Sequence, residues 1–241
     1  MTRQEKHDYI FSDIPAGLAM SRWDWVEGCL LGDIRTLLDG IRHFNRHDGR
    51  ADDGYPRGGA NFSLPIVVGT AIDILSDVYA GETYYAEGMA GASSEAARAG
   101  RFIRSYFPGL ARELGRLLWD GMRNGLTHDF KPKRFRYRGG YIGFRFSIEE
   151  GGEGSCVERD GDTLLIVVNV FELCDALTEA VARYKRDLST SEALQDKFIA
   201  VATAVEQQVR DISSSRPYAR EADVLRQRLR RADRVPLFGE P

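Results

Sequence analysis

Near residue 133 the apolar residues of this chain change their spacing, from every third or fourth position to every second. Trp25, Cys29, Leu30, Ile34, Leu37, Leu38, Ile41 and Phe44 recur at helical spacing, whereas FRYRGGYIGFRFSI alternates as a strand pair does. Periods of 3.6 and 2 bury different faces and do not interconvert without refolding. Their order therefore excludes both an all-helical bundle and an all-β sandwich. It predicts an α+β fold, mainly α, with a small antiparallel β insertion at about 134–168.

The punctuation divides the helical part. Ser21 followed by Asp24 predicts an N-cap with an acidic first turn, opening a helix over 22–46. Residues 47–60 (HDGRADDGYPRGGA) hold four glycines and a proline and predict a loop. A second helix runs from Ser63, read as its cap, to a stop at Gly81. A short helix is expected near 95–106, and Pro108 opens a strong third one, with Leu110, Leu114, Leu117, Leu118 and Met122 inward, running towards His128. In the insertion, Gly139-Gly140 predict a type I′ turn that sets Tyr137 opposite Ile142 and Phe135 opposite Phe144. TLLIVV (163–168) is a buried strand, which with the hairpin pair makes a three-stranded insertion, and a further strand around Cys156 is left open. Helix 170–188 follows, and Ser189 with Glu192 predicts a capping box for a last long helix, about 190–213. Residues 1–20 read as a flexible arm, 21–189 as the main domain, and 190–241 as a C-terminal helical appendage with an Arg-rich tail.

Composition adds limits. The 241 residues carry 33 Lys+Arg against 36 Asp+Glu, a net charge of −3, so affinity for nucleic acid must come from local clustering. Three widely spaced cysteines predict neither a disulfide framework nor a zinc site. Cys29 and Cys174 lie on apolar stripes and are expected in the core. No apolar run reaches the roughly 20 residues that span a bilayer, and the polar start MTRQEKHDYIFSDIP lacks a signal-peptide core. A soluble cytoplasmic protein without membrane contact is expected.

The stretch richest in chemistry is WDGMRNGLTHDFKPK, residues 119–133. Arg123 supplies a permanent planar cation suited to phosphate. His128 exchanges a proton near neutral pH. Asn124 can hydrogen-bond to either, or to a ribose hydroxyl. Arg123 and His128 are about 140° apart on an ideal helix. They share a site only by converging on a groove, for instance one completed by a second subunit; otherwise they cap the helix end and bond locally.

Arg123-Asn124-x3-His128 within a largely helical chain resembles the signature of the HEPN superfamily. The longer run Arg123-Asn-Gly-Leu-Thr-His128-Asp-Phe-Lys-Pro-Lys133 resembles a group of uncharacterised bacterial HEPN-like proteins, in which such a segment follows two helices and precedes a small β insertion and another helix. The resemblance covers residues 22–188. It implies an antiparallel helical bundle that dimerises, bringing two motifs into one cleft. In active members the cleft is a metal-independent endoribonuclease site, used in toxin–antitoxin, phage-defence and RNA-processing systems. Carried over, Arg123 holds the scissile phosphate, His128 acts as general base or acid, and Asn124 orients one of them. An acidic helper on an earlier helix corresponds to Asp73 or Asp77. No cofactor is implied. Toxins modified by a partner nucleotidyltransferase carry Tyr two residues after the His; Phe130 stands there instead. Many relatives are scaffolds, so the alternative is a non-catalytic dimerisation protein. An antitoxin or another protein partner fits either reading.

A basic cluster follows the motif. Lys131, Lys133, Arg134, Arg136, Arg138 and Arg145 come with no acid among them. All but the lysines share a hairpin face with Tyr141, which predicts phosphate contacts and a base-stacking ring for RNA; a charged, edge-protecting strand face is the other reading. Arg216, Arg220, Arg226, Arg228, Arg230, Arg231 and Arg234 make the tail a charge-laced helix. Asp39, His43 and His47 recur every four residues but lack the Glu of a zinc-hydrolase motif, so no metal site is read there.

Overall fold

The computed structural model describes residues 1–14, 18–47, 63–82, 94–124, 126, 132–207 and 216–229. The fold is mainly helical with a small mixed four-stranded sheet. It forms two compact units, Met1–Ala204 and Val205–Pro241.

The start of the chain departs from the arm expected at 1–20. Arg3–Phe11 is helix α1, closed by a capping box in which Thr2 Oγ1 accepts from the Glu5 amide and Glu5 accepts from the Thr2 amide. Ile10 is fully buried, and Lys6 reaches Glu192 and Asp196 at 2.8 and 2.6 Å. The polar composition that suggested disorder is a set of caps and ion pairs around one apolar anchor. Strands β1 (Asp13–Ile14) and β2 (Leu18–Ser21) pair antiparallel before α2, Arg22–His47. Ser21 caps α2 as predicted: its Oγ accepts from the Asp24 amide, while its own hydroxyl and amide donate to Asp24 Oδ2 and hold that carboxyl below its ordinary range.

Helix α2 buries Trp23, Leu30, Leu31, Ile34, Leu38 and Ile41. Cys29, expected in the core, is exposed, as is Trp25. Both lie on the far side of the helix from Trp23 and Ile34. Helix α3 (Ser63–Ala80) takes Ser63 as its first residue rather than its cap and stops at Gly81, φ +73°. It is long and apolar enough to cross a membrane, yet half of it is buried inside the fold, as in a core helix. Helix α4, Glu95–Tyr106, matches the short helix expected at 95–106.

The strong helix expected after Pro108 is broken into three pieces. They are a 3₁₀ turn (Gly109–Arg112), helix α5 (Gly115–Trp119) and a π turn (Asp120–Asn124). Gly109 at φ +59° cannot continue a right-handed helix, and Leu110, expected inward, is 60% exposed. At Gly115 a Cβ would approach the Gly100 carbonyl oxygen to 3.0 Å, so backbone packing between α4 and α5 replaces side-chain packing there.

The insertion has four strands, β3 (Phe135–Tyr137), β4 (Gly140–Ser147), β5 (Cys156–Asp160) and β6 (Thr163–Asn169), in the order β3-β4-β6-β5. It is not wholly antiparallel: β4 and β6 run parallel, from Tyr141↔Thr163 to Ser147↔Asn169. The chain passes the place of β6, forms β5 at the edge, and returns through Gly161 (φ +56°) to put β6 in the middle. The unbroken LLIVV run suits a strand flanked on both sides. The hairpin also turns one residue early. Arg138 (φ 48°) and Gly139 (φ 84°) are its central residues, and Phe135 pairs with Ile142. Gly140 is needed in the strand, because a Cβ there would lie 2.2 Å from the Asp162 carbonyl oxygen. The register moves by two, so the paired residues Phe135, Arg136, Tyr141 and Ile142 keep their predicted faces, while Arg138 passes into the turn.

Helix α6 (Val170–Thr190) is capped by Asn169, whose Oδ1 accepts from the Phe171 and Glu172 amides. It runs past Ser189, and Ser191, not Ser189, precedes helix α7, Glu192–Glu206. Gln195, Phe198 and Val201 of α7 are buried in the first unit, so that unit ends well beyond 189. The second unit contains helix α8, Arg216–Leu229, at the Arg-rich stretch.

Candidate functional site

Helix α3 places Asp73 and Asp77 one turn apart, and the π turn brings Arg123 beside them. Arg123 Nε donates to Asp73 Oδ2 at 2.8 Å. Trp119 Nε1 donates to Asp73 Oδ1, and the Arg123 guanidinium lies 5.8 Å from the Trp119 ring. One carboxylate thus fixes an indole and a guanidinium that are four residues apart in the chain. Gly69, one turn before Asp73, permits this: a Cβ there would meet Arg123 Cβ at 3.0 Å. The next carboxylate, Asp77, accepts from Arg98 Nε of α4 at 2.7 Å, and Arg98 is only 5% exposed.

Asp73, Asp77, Glu95, Arg98 and Arg123 line a cleft of about 470 Å³. Burial lifts the carboxyls of Asp73 and Asp77 above their ordinary value, although the bonds from Trp119 and Arg123 on one, and Arg98 on the other, pull them back. The cleft therefore presents a held guanidinium for an anion and carboxylates for hydroxyl or amine donors. A π turn is an uncommon element that recurs at functional sites, and here it carries the arginine of the motif.

The sheet leans on the same turn. A Cβ at Gly121 would sit 2.3 Å from Phe144 Cε2, so the β4 ring lies directly on that backbone. Lys133 bonds to the same turn: its amide donates to the Gly121 carbonyl at 3.2 Å and its Nζ pairs with Asp120 at 2.7 Å. Compared with family models, with curated proteins and with solved structures, the chain has no match.

The predicted site residues fall as follows. Arg123 is at the cleft. Asn124 ends the π turn. His128 and Lys131 lie outside the described residues. The basic cluster is partly neutralised: Lys133 is bound to Asp120, and both carboxylate oxygens of Glu158 accept from Arg145. Arg134 bonds Thr163 Oγ1 and stacks 4.0 Å over the Tyr141 ring, covering one face of it. Arg138 lies against Tyr137. Arg134, Arg136 and Arg138 are exposed with no carboxylate partner among the described residues. Of the other candidates, Asp39 pairs with Arg42 at 3.2 Å, and Cys174 is buried as expected.

Sequence reading named Asp73 but missed Trp119, Glu95 and Arg98. Trp119 carries a signal, since it precedes Arg123 by four, the spacing of helical neighbours. Glu95 and Arg98 carry none, because only the packing of α4 on α3 brings them in.

Proposed function

We propose that this chain is a HEPN-like, metal-independent endoribonuclease or RNA-binding protein of a bacterial defence or toxin-type system, working as a homodimer. The observation that carries the reading is Arg123 held by Asp73 and Trp119 at the wall of a polar cleft. A fixed guanidinium stabilises charge developing on a phosphodiester without reorganising during the reaction. In this account Arg123 holds the scissile phosphate. His128 takes the 2′-hydroxyl proton or protonates the leaving oxygen, and Asn124 orients one of them. Attack by the neighbouring 2′-hydroxyl requires no metal ion. Arg134, Arg136 and Arg138 bind flanking phosphates.

The Asp73–Arg123 ion pair also favours a second reading. A half-buried arginine neutralised by its own carboxylate is what a non-catalytic dimerisation scaffold would contain. Purified protein incubated with mixed RNA in EDTA separates the two. We expect wild type to degrade the RNA and His128→Ala to lower the rate at least a hundredfold; equal RNA integrity in both samples removes the catalytic reading.

A further inference from the structure

Strand β5 is an open edge of the sheet. Among the described residues it pairs with β6 alone, in unbroken register from Cys156↔Val167 to Asp160↔Thr163. Proteins commonly blunt such edges with proline, lysine or a bulge. The β5 sequence, CVERD, contains no proline or lysine and its ladder has no bulge; Glu158, Arg159 and Asp160 charge the edge without removing its hydrogen-bonding groups. The amides and carbonyls of β5 that no described residue pairs form a template for another extended chain.

Beside this edge lies an apolar cavity of about 380 Å³. Ile166, Val168 and Leu173 line its depth, and Leu110 and Val157, 60% and 45% exposed, stand among its lining residues. Val157 and Ile166 are cross-strand partners and share a face. A strand added outside β5 would direct every second side chain to that same face. The charge around the edge is one-sided. Segment 149–162 has six acids and one base; Glu158 is paired with Arg145 and Glu150 with Arg42, which leaves Glu149, Glu153, Asp160 and Asp162 in excess over Arg159, and the Glu172 carboxylate also lines the cavity. Such a surface repels phosphate and attracts lysine and arginine.

From these features we infer that the β5 edge and the adjoining cavity dock an extended peptide in which apolar and basic residues alternate. Its main chain becomes the fifth strand, its apolar side chains enter the cavity, and its basic side chains face the acids. Strand addition of this kind draws affinity from main-chain hydrogen bonds and selectivity from alternate side chains. The surface is separate from the Arg123 cleft and does not depend on the proposed ribonuclease activity.

The test titrates the full chain with a fluorescent, end-blocked seven-residue peptide alternating leucine and lysine, followed by anisotropy. Saturable binding is expected, with the amides of 156–160 gaining protection from hydrogen exchange. Leu110→Ser, at an exposed position, and Val157→Lys should each raise Kd at least tenfold. Two further peptides are N-methylated on one or the other alternating set of amides. One set should abolish binding and the other should not, because only one set faces the edge. The inference is overturned by no saturable binding, by equal binding of both methylated peptides, by equal binding of a leucine–glutamate peptide, or by full protection of β5 through self-association without peptide.

Discussion

Replacing Asp77 by Ala is expected to lower the unfolding free energy by about 3 kcal/mol, read from urea denaturation at pH 7. The size follows from Arg98, which is 5% exposed and gives its Nε to Asp77 at 2.7 Å. Removing the carboxylate takes away the counter-charge that Asp77 supplies to this buried guanidinium. Asp77 keeps some contact with water, so the cost falls at the low end for a buried pair. The companion variant, Asp77→Leu with Arg98→Met, should recover most of the loss, because it removes both charges rather than one. A loss under 1 kcal/mol for the single change would show that Asp77 is not the contact that compensates the buried Arg98. The same carboxylates give a definite sign with pH. Burial raises Asp73 and Asp77 above their ordinary value, so the folded state binds their protons more tightly than the unfolded state. Their contribution to stability is fully present below the ordinary aspartate value and is lost as pH rises through the raised values. Asp24, held low by Ser21, contributes with the opposite sign.

The second large effect is expected at Gly121, where valine should cost about 3 kcal/mol, at the upper end for overpacking. The Cβ alone would stand 2.3 Å from Phe144 Cε2 and 2.5 Å from Cζ. Either the ring leaves its place on the π turn or β4 moves off the helices. Both also strain the hydrogen bond from the Lys133 amide to the Gly121 carbonyl. Removing the obstacle should rescue the change: Phe144→Ala combined with Gly121→Val should be less destabilised than the sum of the two single variants by at least 1 kcal/mol. Additive losses would mean that the ring and the turn do not press on each other.

Where the sequence was legible, a local pattern and its burial agreed. Helix α2 follows its apolar stripe and its Ser21 cap, α4 falls at the expected residues, and the paired hairpin residues keep their faces because the register error was even. The misreadings have nonlocal causes. The break after Pro108 depends on Gly115 packing against Gly100 and on Gly121 yielding to Phe144, contacts between residues far apart in the chain. The parallel β4–β6 pairing depends on where β5 goes, which no period of two records. Cys29 and Trp25 were assigned inward on spacing alone, although the larger set around Trp23 and Ile34 takes the buried side. At the site, Arg123 stood out for its motif and Asp73 as an acid on an earlier helix. Arg98 and Glu95 carry no local mark and arrive only through the α3–α4 contact.

The central claim is that Asp73 and Trp119 hold Arg123 ready for an RNA phosphodiester, rather than simply neutralising a half-buried charge. Arg123→Lys addresses it most directly, because lysine keeps the charge but loses the planar, multiply bonding head. The measurement is the rate of RNA cleavage in EDTA by wild type and by the variant, with its folding checked by thermal unfolding. The account predicts cleavage by wild type and a rate at least a hundredfold lower for folded Arg123→Lys. Equal rates from the two proteins, or no cleavage by wild type, would contradict it.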